Sequence, residues 1–293
     1  MTNPPICDYE GSDYQESFWG GGQRDYEDLA EVGALKKLLP SSGGLLLELG
    51  AGAGRNTPRY TGFEHIVLLD YSRTQLQQAR SHLGPAHTYV AADIQHMPFV
   101  DGLFDIATMI RTLHHLVDAP LALKKVRQVL KPGGIFILEY ANKHNLKAML
   151  RYLLRRQSWS PYSLEPVEFE PLNFDFHPRA IRTWLKESGF HMQRQLTVSH
   201  FRVGWLKRHL PASFLAELDG LASMTGGWWQ VSPSVFTISQ ADASGSLAPA
   251  GVFFKCPACD HAPLVETDTS FNCTNCSRRW PIRDGIFDFK EAF

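Results

Sequence analysis

The sequence predicts an α/β fold: a doubly wound, mostly parallel sheet of seven strands, with a small separate domain at the C-terminal end. Three observations predict it. Short apolar segments alternate with helical patterns through the first half of the chain. The run "GGLLLELGAGAGRNTPRY" (43–60) interrupts a buried leucine segment with glycines at 50, 52 and 54. Four of the five cysteines lie beyond residue 255. Alternating strands and helices give parallel βαβ units with both sheet faces covered. Paired cysteines at one end mark a part of the chain built on a different principle.

Residues 26–39 place Leu29, Val32, Leu35, Leu38 and Leu39 at helical spacing, and Pro40 ends that helix. Strands are expected at 45–49, 65–70, 87–93, 104–110 and 135–140. Between them lie a helix over "SRTQLQQARSHL" capped by Ser72, a helix from Pro120 to Leu130, and a tight turn at "KPGG" (131–134). Residues 143–156 read as a helix. The Pro-rich passage after it is too long and irregular for a simple connection, so it is expected to fold over something. "RAIRTWLKESGF" is a helix ended by Gly189, and "HMQRQLTVSHF" and "SPSVFTIS" supply two late strands. Small and polar residues at 240–251 read as a linker.

A net charge of −1 on 293 residues gives no global sign of nucleic acid, membrane or acidic substrate. No apolar run approaches the roughly 20 residues that span a bilayer. The first residues lack the basic and apolar regions of a signal peptide, so a cytoplasmic protein is expected. Cys7, apart from the other cysteines, reads as a plain thiol.

A strand, then glycines, then a helix is the ligand-binding turn of a doubly wound sheet. The glycines let a ligand approach the main chain, and a helix start offers free N–H groups. Two nucleotide fingerprints fail here. A dinucleotide turn needs its third glycine at 55, which is arginine, and no lysine completes a phosphate-binding loop. What remains is "ELGAGAG", a carboxylate followed by G-x-G-x-G.

That pattern resembles motif I of the class I S-adenosylmethionine-dependent methyltransferases. Further resemblances follow in order: Asp70 at the end of the second strand, "AADIQHMPF" with Asp93, "FDIATMIRTLHHL", and "VLKPGGIFILEY". The family resemblance implies a Rossmann-like sheet and S-adenosylmethionine as cofactor. It implies that Asp70 accepts both ribose hydroxyls and that Asp93 binds the adenine amino group. Gly50, Ala51, Gly52, Gly54 and Asn56 would form the turn, with Ile94, Ile110 and Arg111 completing the pocket. A cationic sulfonium ligand without phosphate suits acids at strand ends, because charge-assisted hydrogen bonds to a diol are strong. Glu48 has two open roles, holding the methionine amino group through water or orienting the glycine loop. Tyr71 either lies against adenine or simply packs. "YQESFWGGGQRDYEDL" resembles family caps over the cofactor, offering Tyr14, Trp19 and Tyr26.

Methyl transfer from sulfonium needs alignment and exclusion of water, and needs a base only if the acceptor must lose a proton. The acceptor therefore stays open. Candidates at the strand ends are His114, His115, Glu139, Asn142 and Lys143. "NFDFHP" (173–178) adds Asp175 and His177 as either a pocket wall or a helix N-terminal staple. Lys143, Lys147, Arg151 and Arg155 recur every four residues, with Leu146, Met149, Leu150 and Leu153 largely opposite. This stripe suits RNA phosphate, an anionic lipid surface or a phosphorylated small molecule, or else is a solvated face.

"CPAC" (256–259) and "CTNC" (273–276), thirteen residues apart, have the spacing of paired zinc knuckles, with Cys256, Cys259, Cys273 and Cys276 as ligands. About 40 residues cannot bury enough apolar surface alone, so metal is expected to drive folding of this tail. "RRWPIRDGIFDF" resembles the zinc-ribbon family that includes the activator subunit of tRNA and protein methyltransferases. Its apolar strand is available to dock on the sheet edge.

The expected organisation is N-terminal cap helices (1–42), a methyltransferase domain (43–239) with a substrate-side insertion at 143–178, a linker (240–251) and a zinc ribbon (252–293). The leading function is methyl transfer from S-adenosylmethionine to a small or medium organic acceptor. Two alternatives are an RNA (tRNA) methyltransferase with a fused activator-like ribbon and a catalytically silent cofactor-binding scaffold.

Overall fold

The computed structural model describes residues 10–11 and 24–293; Cys7, Tyr14 and Trp19 lie outside the described residues. Helix α1 (Asp25–Leu38) leads into β1 (Gly43–Leu49). Then come β2 (Phe63–Asp70), α2 (Arg73–Leu83), β3 (Thr88–Ala91), β4 (Phe104–Met109), α3 (Ala119–Val129) and β5 (Leu130–Ala141). The insertion holds α4 (Leu146–Leu153) and the hairpin β6 (Val167–Glu170) to β7 (Asn173–Asp175). Helix α5 (Pro178–Glu187), β8 (Phe190–Val198), α6 (Gly204–His209), α7 (Ala212–Ala222) and β9 (Ser234–Ala241) follow.

The seven expected strands lie in the order β3-β2-β1-β4-β5-β9-β8. The first five are parallel, and β9 runs antiparallel to both its neighbours. Alternation along β1 sends Leu47 and Leu49 into one buried cluster with Leu123 and Val126 of α3. Leu46 enters the other, with Ala30, Ala34 and Leu35 of α1. Both faces are covered, as a parallel sheet requires.

Helix α1 buries Leu35 and Leu38 as expected, but its first turns differ: Leu29 is exposed, while Glu27 and Glu31 face inward beside Ala30 and Ala34. Ion pairs satisfy these buried acids: Glu31 meets Arg55 and Arg111, and Glu27 meets Lys207. The "KPGG" turn is instead a bulge within β5. Phe104 pairs with Leu130 and Ile106 with Ile135, so five steps of β5 match two of β4, with Gly133 at φ +76°. Residues 240–251 run largely exposed and are tied to the body at a few points. Asp242 pairs with Arg127, and the Ala248 amide donates to the Gly102 carbonyl at 3.1 Å.

The tail forms β10 (Val265–Glu266), β11 (Ser270–Asn272), β12 (Arg279–Arg283) and β13 (Ile286–Asp288). Its last strand adds in parallel to β3, pairing Ile286 with Tyr89 and Asp288 with Ala91. The result is one continuous eleven-stranded sheet. Asp284 and Gly285 turn β12 into β13, both at positive φ, the geometry that Asp-Gly favours in a two-residue hairpin. Phe254 of the tail stacks on Phe99 at 5.8 Å and tilts against Phe271 at 4.9 Å, so the two aromatic cores are continuous. No described helix is long and apolar enough to cross a membrane.

Ile286 is fully buried where the tail meets β3. Ile286→Ala is expected to cost about 2–5 kcal/mol and to lower the thermal midpoint of the whole chain. Independent melting of the tail with an unmoved main transition would contradict this coupling.

Candidate active site and metal centre

The glycine turn after β1 is held by residues of β1, β2, α2 and the loop after β4. Gly50, Gly52 and Gly54 have φ of +68°, +54° and +78°. A Cβ at Gly50 would lie 2.1 Å from Thr112 Oγ1, and one at Gly54 would lie 2.6 Å from Leu83 Cδ1. At Gly52 the nearest atom would be Gln75 Oε1, at 3.9 Å. Packing therefore demands glycine at 50 and 54, whereas Gly52 leaves an open cradle. The α-helix expected next is only a 3-10 turn at Thr57–Arg59. Too few residues separate Gly54 from β2, and Thr57 is drawn into the sheet by its hydrogen bond to Glu48 at 2.6 Å.

Through that bond Glu48 touches the end of the glycine turn. Burial pushes its carboxyl up to about 7, even though Thr57 donates to it. Asp70 accepts from the Gly52 amide through Oδ2 and from the Ser72 amide through Oδ1, each at 2.8 Å. Asp93 is used locally, accepting from the Gln95 amide at 2.9 Å and pairing with His96 Nδ1 at 2.8 Å. Asn56 accepts from Arg59 at 2.8 Å. Ala51, Ile94 and Ile110 are buried apolar walls. The tail reaches this rim, placing Lys290 Nζ 5.0 Å from the Tyr71 ring centroid.

Sequence reasoning missed Glu31. Its oxygens accept from Arg55 at 2.7 Å and from Arg111 at 2.8 Å. Burial alone would raise its carboxyl, but the Arg111 and Arg55 guanidiniums outweigh burial and hold it below the usual range. Arg111, at φ +56°, also donates its amide to Glu139 Oε2 at 2.9 Å. The spacing of Glu27 and Glu31, four apart on a helix, was the signal available.

Beyond the C-terminal end of β5, the insertion folds back over the strand ends. The Phe176 amide donates to Ala141 O, and the Lys143 amide donates to Phe176 O. Glu139 is buried and accepts from Ser234 at 2.6 Å as well as from Arg111, while burial raises its carboxyl. Lys143 is buried, donating to Ser163 Oγ at 3.0 Å and to the Glu165 carbonyl. It therefore stands off the expected basic stripe, and Arg155 falls beyond the end of α4. Asn142 spans to the Gln230 and Ser232 carbonyls. His177 takes the staple role: its Nδ1 accepts from the Arg179 amide at 3.1 Å, capping α5. Burial, then neighbouring His144 and Lys143, push its imidazole down to about 4.

His115 contacts the hairpin, Nδ1 lying 3.1 Å from the Leu172 carbonyl. A carbonyl only accepts, so Nδ1 carries the proton in the neutral ring and Nε2 holds the lone pair. Burial lowers its pKa. His114 lies tilted 4.0 Å away, is lowered further by burial, and its buried Nδ1 has no hydrogen-bond partner among the described residues. Asp175, on β7, is raised to about 6 by burial and by Glu139.

Residues 47–138 match the family described as a methyltransferase domain. The chain carries a methyltransferase domain. Over 115 residues it is 34% identical to the O-methyltransferase cnsE of Penicillium expansum, covering 37% of this chain and 41% of that one. It is 34% identical over 107 residues to the ubiquinone/menaquinone biosynthesis C-methyltransferase UbiE of Vibrio parahaemolyticus, covering 33% and 41%. The chain thus spans about two fifths of the length of these curated relatives. Its fold is similar to a solved complex between the Haloferax volcanii Trm112 methyltransferase activator and a methyltransferase. That likeness has a TM-score of 0.55 at 17% identity, covering 78% of this chain and 96% of that one.

Outside the methyltransferase domain, the tail brings Cys256, Cys259, Cys273 and Cys276 together, all four sulfurs within 4.8 Å of one another. The Cys256–Cys276 and Cys259–Cys273 sulfurs lie 3.7 and 3.5 Å apart. Tetrahedral thiolates at about 2.3 Å from a metal would be about 3.8 Å apart. The donor set therefore fits one closed, four-sulfur ion.

Because Glu31 has a lower pKa folded than unfolded, its contribution to stability is full above the unfolded value of about 4.3. It is lost as pH falls through the folded value. Glu31→Gln is expected to lower stability at pH 7 and to flatten the acid limb of a stability–pH curve. Parallel curves for the two proteins would refute the pairing.

Proposed function

We propose that this chain is an S-adenosylmethionine-dependent methyltransferase acting on a small or medium organic acceptor, with a structural zinc ribbon fused at its C-terminus. The observation that carries the reading is the cradle at Gly52, where an added Cβ meets no described atom closer than 3.9 Å, braced by Asp70 and Glu48. Asp70, at the end of β2, is the acid that the family resemblance assigns to the ribose hydroxyls. Ala51 and Ile110 wall the pocket, and Tyr71 lies at its rim. When bound, the cofactor supplies a sulfonium methyl that leaves by in-line displacement.

The chain's own residues contribute position and dryness. The β6–β7 hairpin covers the strand ends, excluding water from the acceptor side. His115 presents Nε2 as a proton acceptor, its tautomer fixed by Leu172. Asp175, raised to about 6, is the second group able to take a proton near neutral pH. Glu139, Lys143 and His177 serve as positioning groups, because their polar atoms are engaged within the protein. The relatives divide between O- and C-methylation, and acceptors with an acidic O–H or C–H both suit this pair of bases.

The ribbon is read as a built-in counterpart of a methyltransferase activator, since β13 completes the β3 edge in cis. The RNA alternative drew on the basic stripe and the tail; of the stripe, Lys143 is buried while Lys147, Arg151 and Arg155 stay exposed.

Calorimetry tests the cofactor. S-adenosylmethionine should bind, and Gly52→Ala and Asp70→Ala should each weaken it about tenfold or more; because Gly52 sits at φ +54°, its variant loses some stability and is compared at a temperature where it remains folded. Unchanged affinity in Gly52→Ala would discard the cradle. Metal analysis should return one zinc per chain, lost in Cys256→Ser/Cys273→Ser together with a drop in thermal midpoint. A tail that keeps its fold without metal would rule out the structural role.

A further inference from the structure

Helix α4 is mounted inside out. Its one buried residue is Ala148, at 4% exposure. Leu146, Leu150 and Leu153, at i, i+4 and i+7, are 66%, 54% and 77% exposed. An amphipathic surface helix normally turns this stripe toward the core. Here Asn145 caps the helix, its side chain accepting from the Ala148 amide, and Asn142 anchors the preceding turn. The leucines are thereby directed away from the body of the protein. Leu154, just past the helix, extends the stripe at 52% exposure.

The patch continues onto a second segment. The Leu146 amide donates to the Val231 carbonyl at 2.8 Å, and Asn142 Nδ2 holds the Gln230 carbonyl at 2.9 Å. These bonds lay residues 228–231 beside the start of α4. Trp228 and Trp229 there are 83% and 65% exposed. Indole rings with an apolar body and one polar N–H are the side chains enriched where hydrocarbon meets headgroups.

Charge selects the occupant. Lys147, Arg151, Arg155 and Arg156 are all exposed around the leucines. No Asp or Glu occurs from residue 142 to 164, in a chain whose net charge is −1. At 100° per residue, the leucines form the pole facing outward, and Lys147 and Arg151 lie to its side. RNA would need the cations at that pole. Two copies of the patch would bring like charges together. Apolar side chains at the centre, with cations around them and tryptophans beside them, match an anionic bilayer surface.

We infer that α4 and the Trp228–Trp229 segment form a docking surface for an anionic lipid membrane. The leucines enter the headgroup–acyl boundary, and Lys147, Arg151, Arg155 and Arg156 meet lipid phosphates. The inference stands independently of the group transferred at the active site.

Sedimentation of the full chain with vesicles tests it. Vesicles of phosphatidylcholine containing phosphatidylglycerol should carry the protein down, and pure phosphatidylcholine should carry about tenfold less. Leu150→Glu/Leu153→Glu should reduce binding to the anionic vesicles about tenfold or more, at an unchanged thermal midpoint, because neither leucine is buried. Arg151→Glu/Arg155→Glu should abolish the preference for anionic lipid. The proposal is overturned if the wild type ignores anionic vesicles or if the leucine variant binds them equally. It is also overturned if the leucines instead hold a dimer in analytical ultracentrifugation, or if the arginines retain RNA while vesicles are ignored.

Discussion

The turn after β1 is tied to the end of β2 by three hydrogen bonds: the Gly50 and Ala51 amides donate to the Leu69 carbonyl, and the Gly52 amide donates to the Asp70 carboxylate. A bond of the last kind, to a charged acceptor, contributes about 1.5–3 kcal/mol. The three glycines of the turn have left-handed backbone conformations, which other residues adopt only at a cost. Around the turn the other braces fall into place: Glu48 with Thr57, Thr112 against Gly50, and Leu83 against Gly54. The open face over Gly52 exists because everything else at the turn is closed.

A second constraint acts through α1. Glu31 is buried with two arginines, one from the glycine turn and one from the loop after β4. Removing one partner from such a cluster leaves a buried charge without compensation, which is strongly unfavourable. The helix before the sheet is thereby coupled to two loops that border the site. Arg111 also links this cluster to Glu139, and through it to Ser234 on β9. The acids and bases of the acceptor side are set by the same network that positions the cofactor turn.

The tail solves a third problem. Without it, β3 would present an open edge, a template for unwanted pairing. With β13 in place that edge is filled, and the aromatic cores on either side merge. The four cysteines fix a unit too small to fold by burial alone. Lys290 then reaches the Tyr71 ring at the rim of the site. Through this contact the tail is both an edge cover and a neighbour of the ligand pocket.

The sequence by itself determined the strands, their alternation with helices, the glycine turn with its acids, and the cysteine set. These are local signals, written in periodicity and in residues with special backbone or ligand chemistry. Tertiary structure decided what depends on partners distant in the chain. Glu27 and Glu31 face inward because Lys207, Arg55 and Arg111 await them, leaving Leu29 exposed while Leu35 and Leu38 stay buried. His177 became a cap and Lys143 a buried tie because the insertion folds back on β5. The leucines of α4 point outward for the same reason: a period reveals that a helix has two faces, and only the surrounding fold decides which one meets the protein.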